Sequence, residues 1–301
     1  MRVLTLGTGA GRPTLQRHTS ATALEFEGET FLFDCGEATQ LQLIRSPLKW
    51  GKMTAIFIGH LHGDHLYGLP GLLGTMSLAE RQEPLKVYGP LGLKEYLRVH
   101  QESRSLWINY PLEVIEIQAP GLILESERYE VHSAPLSHLI PCWGFAFREK
   151  PRPGVFDEEK ARQLGIPEGP ERMDLVRGRS VRLDDGRWIS PEGLVGPSRP
   201  GRSFAHCLDT RPCPEVIELA HGVDLLLHEA TFSKEYQEEA HQWGHSCAAD
   251  AGLVAREAAV GRLVLTHISQ RYTQTQTLLE EARSQFSNTE IAEDLRIFSI
   301  S

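Results

Sequence analysis

Features that mark membrane and secreted proteins are scarce in this sequence. No apolar stretch approaches the roughly 18 residues that a transmembrane helix needs, so we expect no membrane-spanning segment. The N-terminus begins with a predicted strand and shows no apolar segment followed by a cleavage site, and we therefore expect no signal peptide. The five cysteines are odd in number, widely spaced and without a C-x-x-C pair, which favours a reducing cytoplasm over a disulfide framework.

An excess of basic charge is also absent. The net charge of −9 and the pI of about 5.8 argue against a uniformly basic nucleic-acid-binding surface. A local cationic patch, or bound metal ions that a sequence count omits, would still permit phosphate binding. The glycine-rich turn Gly7–Gly11 lacks the G-x-G-x-x-G spacing, and no helical pattern follows it. The sequence therefore predicts no dinucleotide site, and we expect these glycines to bring the backbone close to a different kind of site.

Histidine and aspartate are concentrated at one point of the chain. A predicted buried strand, Ala55–Ile58, is followed by the run His60-Leu-His-Gly-Asp-His65. Imidazole nitrogens and carboxylate oxygens are the ligands that zinc and similar divalent metals take. Side chains at alternate extended positions share a side, so the first two histidines can reach one metal, and the aspartate and third histidine a second. The alternative of solvated loop histidines is disfavoured, because such density after a buried strand is costly unless the groups are used.

Other predicted strands also end in histidine or aspartate. They deliver His138, Asp209, His228-Glu229 and His267. Open sheets place ligand sites outside the carboxyl ends of their strands, so we expect these residues to converge. Seven candidate ligands suit two metals that share a carboxylate and leave a position for water, and Asp209 is the chosen bridge because each of its oxygens can hold one metal. The candidate metal ligands are His60, His62, Asp64, His65, His138, Asp209 and His267.

Two helix starts near these residues are predicted from capping patterns. Asp34 either caps a helix that runs to about Arg45 or accepts a hydrogen bond from a metal-bound histidine, and the sequence favours neither. Ser246 is the predicted cap of a helix over 248–259.

The segment Arg148–Arg202 differs in composition from the rest of the chain. It holds 15 of the 45 glycines and prolines, and its 12 Lys and Arg exceed its 10 Asp and Glu, whereas the whole chain is acidic. Because so long a segment shows little apolar periodicity, we expect a functional protrusion or lid rather than part of the core. The alternative is an inert disordered insertion.

These motifs together resemble a known family. The run from His60 to His65 resembles the metallo-β-lactamase superfamily, and further motifs narrow the resemblance to the RNase Z and RNase BN family of tRNA 3′-processing endonucleases. These motifs are Leu6–Gly11 with Pro13-Thr14, Phe33–Glu37, Gly68–Leu72, Tyr88–Pro90, Gly165-x-Pro167, Asp209-Thr210, His228–Thr231, Gly244–Ser246 and Thr266-His267. The sequence departs from the family pattern at Leu208, where glycine is usual, and at His18, where asparagine is common.

The resemblance implies the architecture and the cofactors. It implies an α/β fold, the αββα sandwich of the metallo-β-lactamases, as a single domain over 1–301 with a protruding, flexible exosite arm inserted at 148–202. It implies a cytoplasmic homodimer that acts on precursor tRNA and holds two zinc ions per subunit. It assigns His60, His62 and His138 to one zinc. The other zinc receives Asp64, His65 and His267, and Asp209 bridges the two.

A catalytic scheme follows as a hypothesis. Asp64 would orient or deprotonate a water activated by the metals, and His245 would protonate the departing 3′ oxygen while Glu229 fixes its tautomer. The products would be a 3′-hydroxyl on the tRNA and a 5′-phosphate on the trailer. His245 could instead be a helix-start residue without a role. Tyr67 could stack on a base or be a packed aromatic. The predicted substrate-binding residues are Tyr67 and, on the arm, Gly165, Pro167, Arg177, Arg179 and Arg182.

Two other functions remain compatible with the motifs. Another hydrolase of the same fold, acting on a thioester, lactone or sulfate ester, would use the metals but leave the arm without a purpose. A non-enzymatic RNA-binding protein with a structural metal would be expected to use cysteine-rich, closed ligation, which the seven His and Asp candidates do not provide. The sequence leaves open whether the enzyme also trims 3′ ends as an exoribonuclease.

Overall fold

Short apolar strands form two large sheets in the computed structural model, which describes residues 1–301. The first sheet has the order β18-β1-β3-β4-β5-β6-β7. Its strands are β1 Arg2–Gly7, β3 Ala21–Phe26, β4 Glu29–Phe33, β5 Met53–Phe57, β6 Leu85–Gly89, β7 Leu112–Glu116 and β18 Arg296–Ser299, and β2 Gly9–Ala10 lies outside it. The predicted hairpin of β3 and β4 is confirmed by their antiparallel pairing.

The second sheet has the order β17-β15-β14-β13-β10-β9-β8. Its strands are β8 Gly121–Glu125, β9 Tyr129–Leu136, β10 Cys142–Glu149, β13 Ser203–Cys207, β14 Leu225–Glu229, β15 Leu263–Thr266 and β17 Thr289–Ile291. The remaining strand outside it, β16 Ile268–Ser269, pairs with β2. In both sheets one half is parallel, β4 to β7 in the first and β13, β14, β15 and β17 in the second. The carboxyl ends of parallel neighbours lie at one edge, so the loops that follow them meet there.

Phenylalanines fill the space between the two sheets. Phe33 of β4 packs against Phe145 of β10 and Phe204 of β13, with ring centroids 6.0 and 5.4 Å apart. Strand side chains alternate between faces, so Leu32, next to Phe33 in the chain, points to the opposite face and joins a separate aliphatic cluster. Because both faces of each sheet are covered, central strands such as β4, β5 and β15 are buried along almost their whole length, whereas β9 nearer the edge still alternates.

Helices cover the outer faces of both sheets. The helices of the body are α1 Thr39–Arg45, α2 Gly63–Leu66, α3 Leu69–Leu78, α4 Leu93–Glu102, α7 Pro214–Leu219, α8 Gln237–Gln242, α9 Ala248–Glu257 and α10 Gln276–Gln285, with 3-10 turns at Trp50–Lys52 and Lys234–Tyr236. Leu43, Leu73 and Leu97 of α1, α3 and α4 join the aliphatic cluster of the first sheet, and Val254 and Leu278 of α9 and α10 join that of the second. The predicted αββα sandwich is confirmed.

The chain divides into a body and an insertion. The insertion comprises Glu127–Tyr129 and Glu149–Gly201, and all other residues belong to the body. It contains α5 Glu158–Gln163, α6 Pro170–Val176 and the paired strands β11 Val181–Arg182 and β12 Trp188–Ile189. It also has its own apolar cluster, formed by Ala161, Ile166, Leu175, Val181, Leu183 and Leu194. The composition of the segment did not predict this cluster, because its apolar residues lie far apart in the chain.

The cap alternative for Asp34 and the cap predicted at Ser246 are both wrong. Helix α1 begins at Thr39, and its N-cap is Ala38 in a left-handed conformation without a side-chain cap. Asp34 is instead engaged by a histidine, as described below. Helix α9 is capped by Cys247, whose backbone N–H donates to Asp250, while the hydroxyl of Ser246 donates to the carbonyl of Thr210. No helix is long and apolar enough to cross a membrane.

Candidate metal centre

Loops from both sheets bring the predicted ligands to one edge of the body. His60 and His62 follow β5 of the first sheet, and His138 and Asp209 follow β9 and β13 of the second. The ligand atoms of these four residues lie within 4.8 Å of one another. His62 Nδ1 lies 2.9 Å from His60 Nε2 and 3.4 Å from His138 Nε2. The first predicted ligand group is therefore assembled in space.

The second predicted group lies beside the first. Nε2 of His65 and Nε2 of His267 are 3.3 Å apart. Asp64 Oδ2 lies 3.4 Å from His267 Nε2 and 3.5 Å from His65 Nε2. Asp209 Oδ1 lies 3.2 Å from both imidazole nitrogens, whereas its Oδ2 faces His60 Nε2 at 3.5 Å. One carboxylate thus presents one oxygen to each group, which is the geometry expected of a bridging ligand.

Two features of this arrangement indicate that the space between the ligand atoms is built for metal cations and not for hydrogen bonds among the side chains. A tetrahedral ion with bonds of about 2.1 Å holds its ligands about 3.4 Å apart, and the N···N and N···O separations of the second group lie close to that value. Asp209 Oδ1 is buried and accepts no hydrogen bond, although a buried carboxylate oxygen is costly without a partner. The fold and the His and Asp clusters are those of a divalent-metal site.

The far nitrogens of the candidate ligands are fixed by hydrogen bonds. His65 Nδ1 lies 2.7 Å from Asp34 Oδ2, and because the carboxylate can only accept, the nitrogen donates. His138 Nδ1 donates to the carbonyl of Gly244 at 2.8 Å. His267 Nδ1 lies 2.8 Å from the hydroxyl of Thr231. Such contacts set the tautomer of a metal-binding imidazole so that its other nitrogen is free to coordinate.

Backbone strain is concentrated at the same place. Asp34, Asp209 and His267 adopt left-handed conformations with φ of 58°, 56° and 54°. Each such residue costs on the order of 1–3 kcal/mol, and it persists only where its surroundings hold it. Asp209 and His267 are residues that the sequence placed at strand ends, and Asp34 directly follows β4, so the strain serves to turn the side chains into the site.

Glycines allow the close approaches that the site requires. The backbone N–H of Gly11, at the end of the predicted glycine-rich turn, donates to Asp64 Oδ2 at 2.8 Å. At Gly244, where φ is +81°, a Cβ would lie 2.7 Å from His138 Nδ1. A larger residue there would displace the imidazole from its acceptor.

His245 and Glu229 form a buried pair at the edge of the metal centre. His245 Nδ1 donates to Glu229 Oε1 at 3.0 Å, which leaves Nε2 available to the cleft. Glu229 is fully buried, and it also accepts from the Thr210 backbone N–H at 2.7 Å and from the Thr231 hydroxyl at 2.6 Å. Burial opposes the charged form of His245, but the Glu229 carboxylate outweighs burial and raises its pKa to about 9. The contact with Glu229 therefore favours the protonated form of His245 and fixes the orientation of its ring.

The carboxylates dominate the electrostatics of the cluster itself. Burial disfavours the charged imidazole of His65, yet Asp209, Asp34 and Asp64 raise its pKa well above the usual value. Burial likewise opposes ionisation of Asp209, but His267, His65 and His60 hold its pKa well below the usual range. Divalent cations would neutralise the same carboxylates while leaving the imidazoles unprotonated, as coordination requires.

Several other histidines lie outside the two ligand groups, and among them is His228, which was expected to converge with the strand-end residues. His206 is buried and stacked on Phe33, with ring centroids 5.4 Å apart, and His132 pairs with Glu130 on β9. His228 directs Nδ1 to the carbonyl of Glu229 and is not part of either ligand group. His18 bonds Asp294 through both its backbone N–H and its ring.

The predicted substrate-binding residues fall in two places. Tyr67 is 61% exposed beside the His60–His65 run, while its ring packs over Gly63, and a role in stacking on a base stays a prediction. On the insertion, Gly165, Pro167, Arg177, Arg179 and Arg182 are all exposed. The insertion is a compact unit of its own, and a role of these residues in binding the substrate stays a prediction.

Three neighbours of the site were given no role in the sequence analysis. Thr231 links Glu229 to His267, Cys142 Sγ lies 3.8 Å from His60 Nδ1, and Arg271 lines the cleft together with Asp64 and His245. Only Thr231 carried a signal, because it follows Glu229 by two positions at the end of β14.

Comparison with known proteins agrees with this geometry. The family model described as "Beta-lactamase superfamily domain" matches residues 178–268, and the model "Anti-Pycsar protein Apyc1" matches residues 1–107. The crystal structure of human tRNase Z, short form, covers all of this chain and is itself fully covered, with a TM-score of 0.74 and 31% identity. The metallo-β-lactamase-fold protein YhfI of Bacillus subtilis, at 18% identity and a TM-score of 0.70, shows the shared fold. Fold and site together define a metal-dependent hydrolase of the metallo-β-lactamase superfamily.

Full-length relatives identify the family within this superfamily. Ribonuclease BN of Erwinia tasmaniensis is 42% identical over 303 residues, which is 99% of each chain. Ribonuclease BN of Escherichia coli O81 is 41% identical over 306 residues, which is 100% of each chain. The chain belongs to the ribonuclease BN family.

Proposed function

We propose that this protein is a zinc-dependent phosphodiesterase that removes the 3′ trailer from precursor tRNA. The proposal is carried by the two adjacent ligand groups joined by Asp209, together with full-length similarity to proteins named ribonuclease BN and to human tRNase Z. His60, His62 and His138 would hold one zinc, and Asp64, His65 and His267 the other. Two ions bound in this way supply polarisation of the phosphodiester and lower the pKa of a water toward neutrality.

The side chains of the chain itself perform the proton transfers in the proposed reaction. Asp64 orients the attacking water and takes its proton while the water oxygen bonds to phosphorus. The bond between phosphorus and the 3′ oxygen breaks, and protonated His245 gives its proton to that oxygen. Glu229 keeps His245 protonated and directs the N–H at Nε2 into the cleft. The products are a 3′-hydroxyl on the tRNA and a 5′-phosphate on the trailer, without attack by a 2′-hydroxyl.

End-group analysis tests the reaction. A trailer-bearing precursor tRNA is incubated with the protein, with and without a chelator, and both product ends are sequenced and tested for phosphate. We expect a single cut with a 3′-hydroxyl and a 5′-phosphate, lost on chelation and in His245→Ala but retained in His221→Ala, which alters an exposed histidine on the body. A cyclic phosphate product would contradict the mechanism, and stepwise shortening of the 3′ end would reveal an additional exoribonuclease activity.

The proposal includes a role for the insertion in holding the tRNA. Its exposed arginines would contact phosphates of the tRNA body, and such contacts weaken with salt. Arg148 and Ser203 are paired in register on β10 and β13, so a two-residue Asn-Gly turn can replace residues 149–202 and close a hairpin.

We expect this replacement to weaken cleavage of precursor tRNA while bis(p-nitrophenyl) phosphate is still hydrolysed. A second variant, with Arg177, Arg179 and Arg182 changed to Gln, keeps the insertion but removes three of its positive charges. It shows how much of the effect on tRNA cleavage comes from charge alone. Equal loss of both activities in both variants would contradict a role for the insertion in binding tRNA.

A cytoplasmic homodimer completes the proposal. Its support is the family membership and, for the dimer, the exposed apolar side chains of α1 and α3, two helices that contact each other: Leu41 and Ile44 are 50% and 59% exposed, and Leu78 is 80% exposed. Apolar patches on a folded surface mark interaction sites. Sedimentation of Ile44→Glu against the unaltered protein tests the oligomeric state, and a dimer unaffected by the change would exclude this surface.

A further inference from the structure

Arg271 occupies an unusual position at the mouth of the candidate active site. Its guanidinium carbon lies 4.7 Å from the ring centroid of Phe232 and 4.8 Å from that of Tyr236, so two aromatic side chains hold the cation. Its side chain is exposed and forms no ion pair with a carboxylate of the chain. A guanidinium group that stacks on aromatic rings keeps the N–H groups at its edge free to donate hydrogen bonds.

The same residue lines the catalytic cleft. A cleft of about 270 Å³ is bordered by Asp64, Asp209, His245 and Arg271. The ring of Phe232 neighbours both Arg271 and the catalytic pair, with its centroid 4.7 Å from the guanidinium carbon of Arg271 and 6.0 Å from the ring centroid of His245. Arg271 and the residue that protonates the leaving oxygen thus contact the same aromatic ring.

The charges around the site leave the phosphates next to the scissile bond without a positive partner other than this arginine. Asp34, Asp64, Asp209 and Glu229 carry four negative charges, and two divalent ions would balance them. The proton on His245 is directed to the leaving oxygen. No positive charge of the metal centre then remains for the phosphates on either side of the bond that is cut, and each of these adds a further negative charge.

We infer that Arg271 binds the phosphate immediately 5′ of the scissile bond. This rests on the proposed function. The leaving 3′ oxygen belongs to the nucleotide upstream of the cut, and His245 must face that oxygen. Because Arg271 shares the Phe232 ring and the cleft with His245, it would meet the strand on the side of His245, which is the upstream side. Its planar N–H edge suits bidentate contact with phosphate oxygens, and its aromatic clamp lowers the entropy lost on binding.

A double-mutant cycle between protein and RNA tests this placement. Arg271→Gln is combined with a precursor RNA that carries one neutral methylphosphonate, either immediately 5′ or immediately 3′ of the scissile phosphate. We expect Arg271→Gln to lower kcat/KM for unmodified RNA by about 10- to 100-fold, the effect of losing a charged hydrogen bond. The 5′ methylphosphonate should cause a similar loss in the unaltered protein and little further loss in Arg271→Gln, whereas the 3′ modification should add fully to the substitution.

Two further measurements separate this role from a general loss of charge. The slope of log kcat/KM against log salt should become shallower by about 0.7 in Arg271→Gln, the value for one phosphate contact on a single strand. Tyr236→Leu, which removes one face of the clamp, should reduce kcat/KM by about 2- to 5-fold. Arg256→Gln is the matched control, because Arg256 on α9 is also exposed and pairs with the neutral Gln285, outside the cleft.

The outcomes distinguish this inference from the proposed function. If Arg271→Gln and the 5′ methylphosphonate act additively while the unaltered protein cuts the RNA, Arg271 does not bind that phosphate and the proposed function stands. If the 3′ modification is the one that couples, the assigned side of the strand is wrong. If the unaltered protein does not cut unmodified precursor RNA, both the proposed function and the inference fall.

Discussion

Replacing Glu229 by glutamine removes the charge that keeps His245 protonated. The two side chains meet at 3.0 Å in a buried setting, and the carboxylate raises the pKa of His245 to about 9 although burial lowers it. Without that charge, we expect the pKa to fall to the ordinary value of about 6.5 or below, which corresponds to roughly 3 kcal/mol less preference for the proton. The amide NH2 group of the glutamine would also face the N–H of Thr210 or the hydroxyl of Thr231, so that two donors would meet without an acceptor.

The expected effect on the rate follows from the fraction of protonated enzyme. The raised pKa keeps the proton below about pH 9 and releases it above, so the rate of the unaltered protein should fall as the pH rises through 9. In Glu229→Gln this decline should begin at least two pH units lower. At pH 8 the protonated fraction drops from about nine-tenths to about 3%, so cleavage should slow by about 30-fold there and much less near pH 5.5.

Single-turnover cleavage of a fluorescent precursor tRNA from pH 5 to 10 measures both profiles. Glu130→Gln is the matched control, since Glu130 pairs with His132 at 3.1 Å away from the metal centre, and its profile should follow that of the unaltered protein. Bound ions would move both profiles in the same direction, so the difference between the variants is the informative quantity. A uniform loss of rate in Glu229→Gln, with the alkaline decline still near pH 9, would refute the proton-donor role of His245.

Three further predictions concern the metal centre and the core. Asp34→Ala removes the acceptor of His65 Nδ1 and should weaken cobalt binding by about 10- to 100-fold, measured by the visible absorption of the cobalt-substituted protein; unchanged affinity would show that Asp34 does not orient the ligand. Dialysis against 1,10-phenanthroline should abolish cleavage, and two equivalents of zinc per chain should restore it; recovery with one equivalent would contradict the paired site. Phe33→Ala should lower the free energy of unfolding by about 3–5 kcal/mol in urea titrations, because Phe33 packs between the two sheets, and a loss below 1 kcal/mol would mean that the layer readjusts.

Much of the site was predictable because its ligands follow buried strands. The run His60–His65 is local in the chain, and its spacing alone placed two pairs of ligands. His138, Asp209 and His267 required the further assumption that the carboxyl ends of separate strands meet, and the parallel halves of the sheets provide that meeting point. The family resemblance supplied what spacing could not, namely which ligands share an ion.

The features that the sequence did not predict depend on contacts between distant residues. Thr231 and Cys142 touch candidate ligands only through the folded arrangement of loops. Arg271 gains its importance from Phe232 and Tyr236, which are 39 and 35 positions away. Asp34 could not be assigned, since an aspartate before a helix is also a common cap, and its hydrogen bonds with the Gly59 backbone N–H and His65 Nδ1 join residues that are distant in the chain.

The seam between the two sheets gives the metal centre a mechanical role. Each ion of the proposed pair would take ligands from a loop after β5 and from loops of the opposite sheet, as His60 with His138 and His65 with His267 illustrate. Ions held in this way would link the first half of the chain to the second. The free energy of unfolding should therefore rise with the concentration of free zinc, by about 2.7 kcal/mol at 100 times the dissociation constant. The stability of the fold and its catalytic activity would then depend on the same histidine ligands. In a cell with too little zinc, both would decrease together.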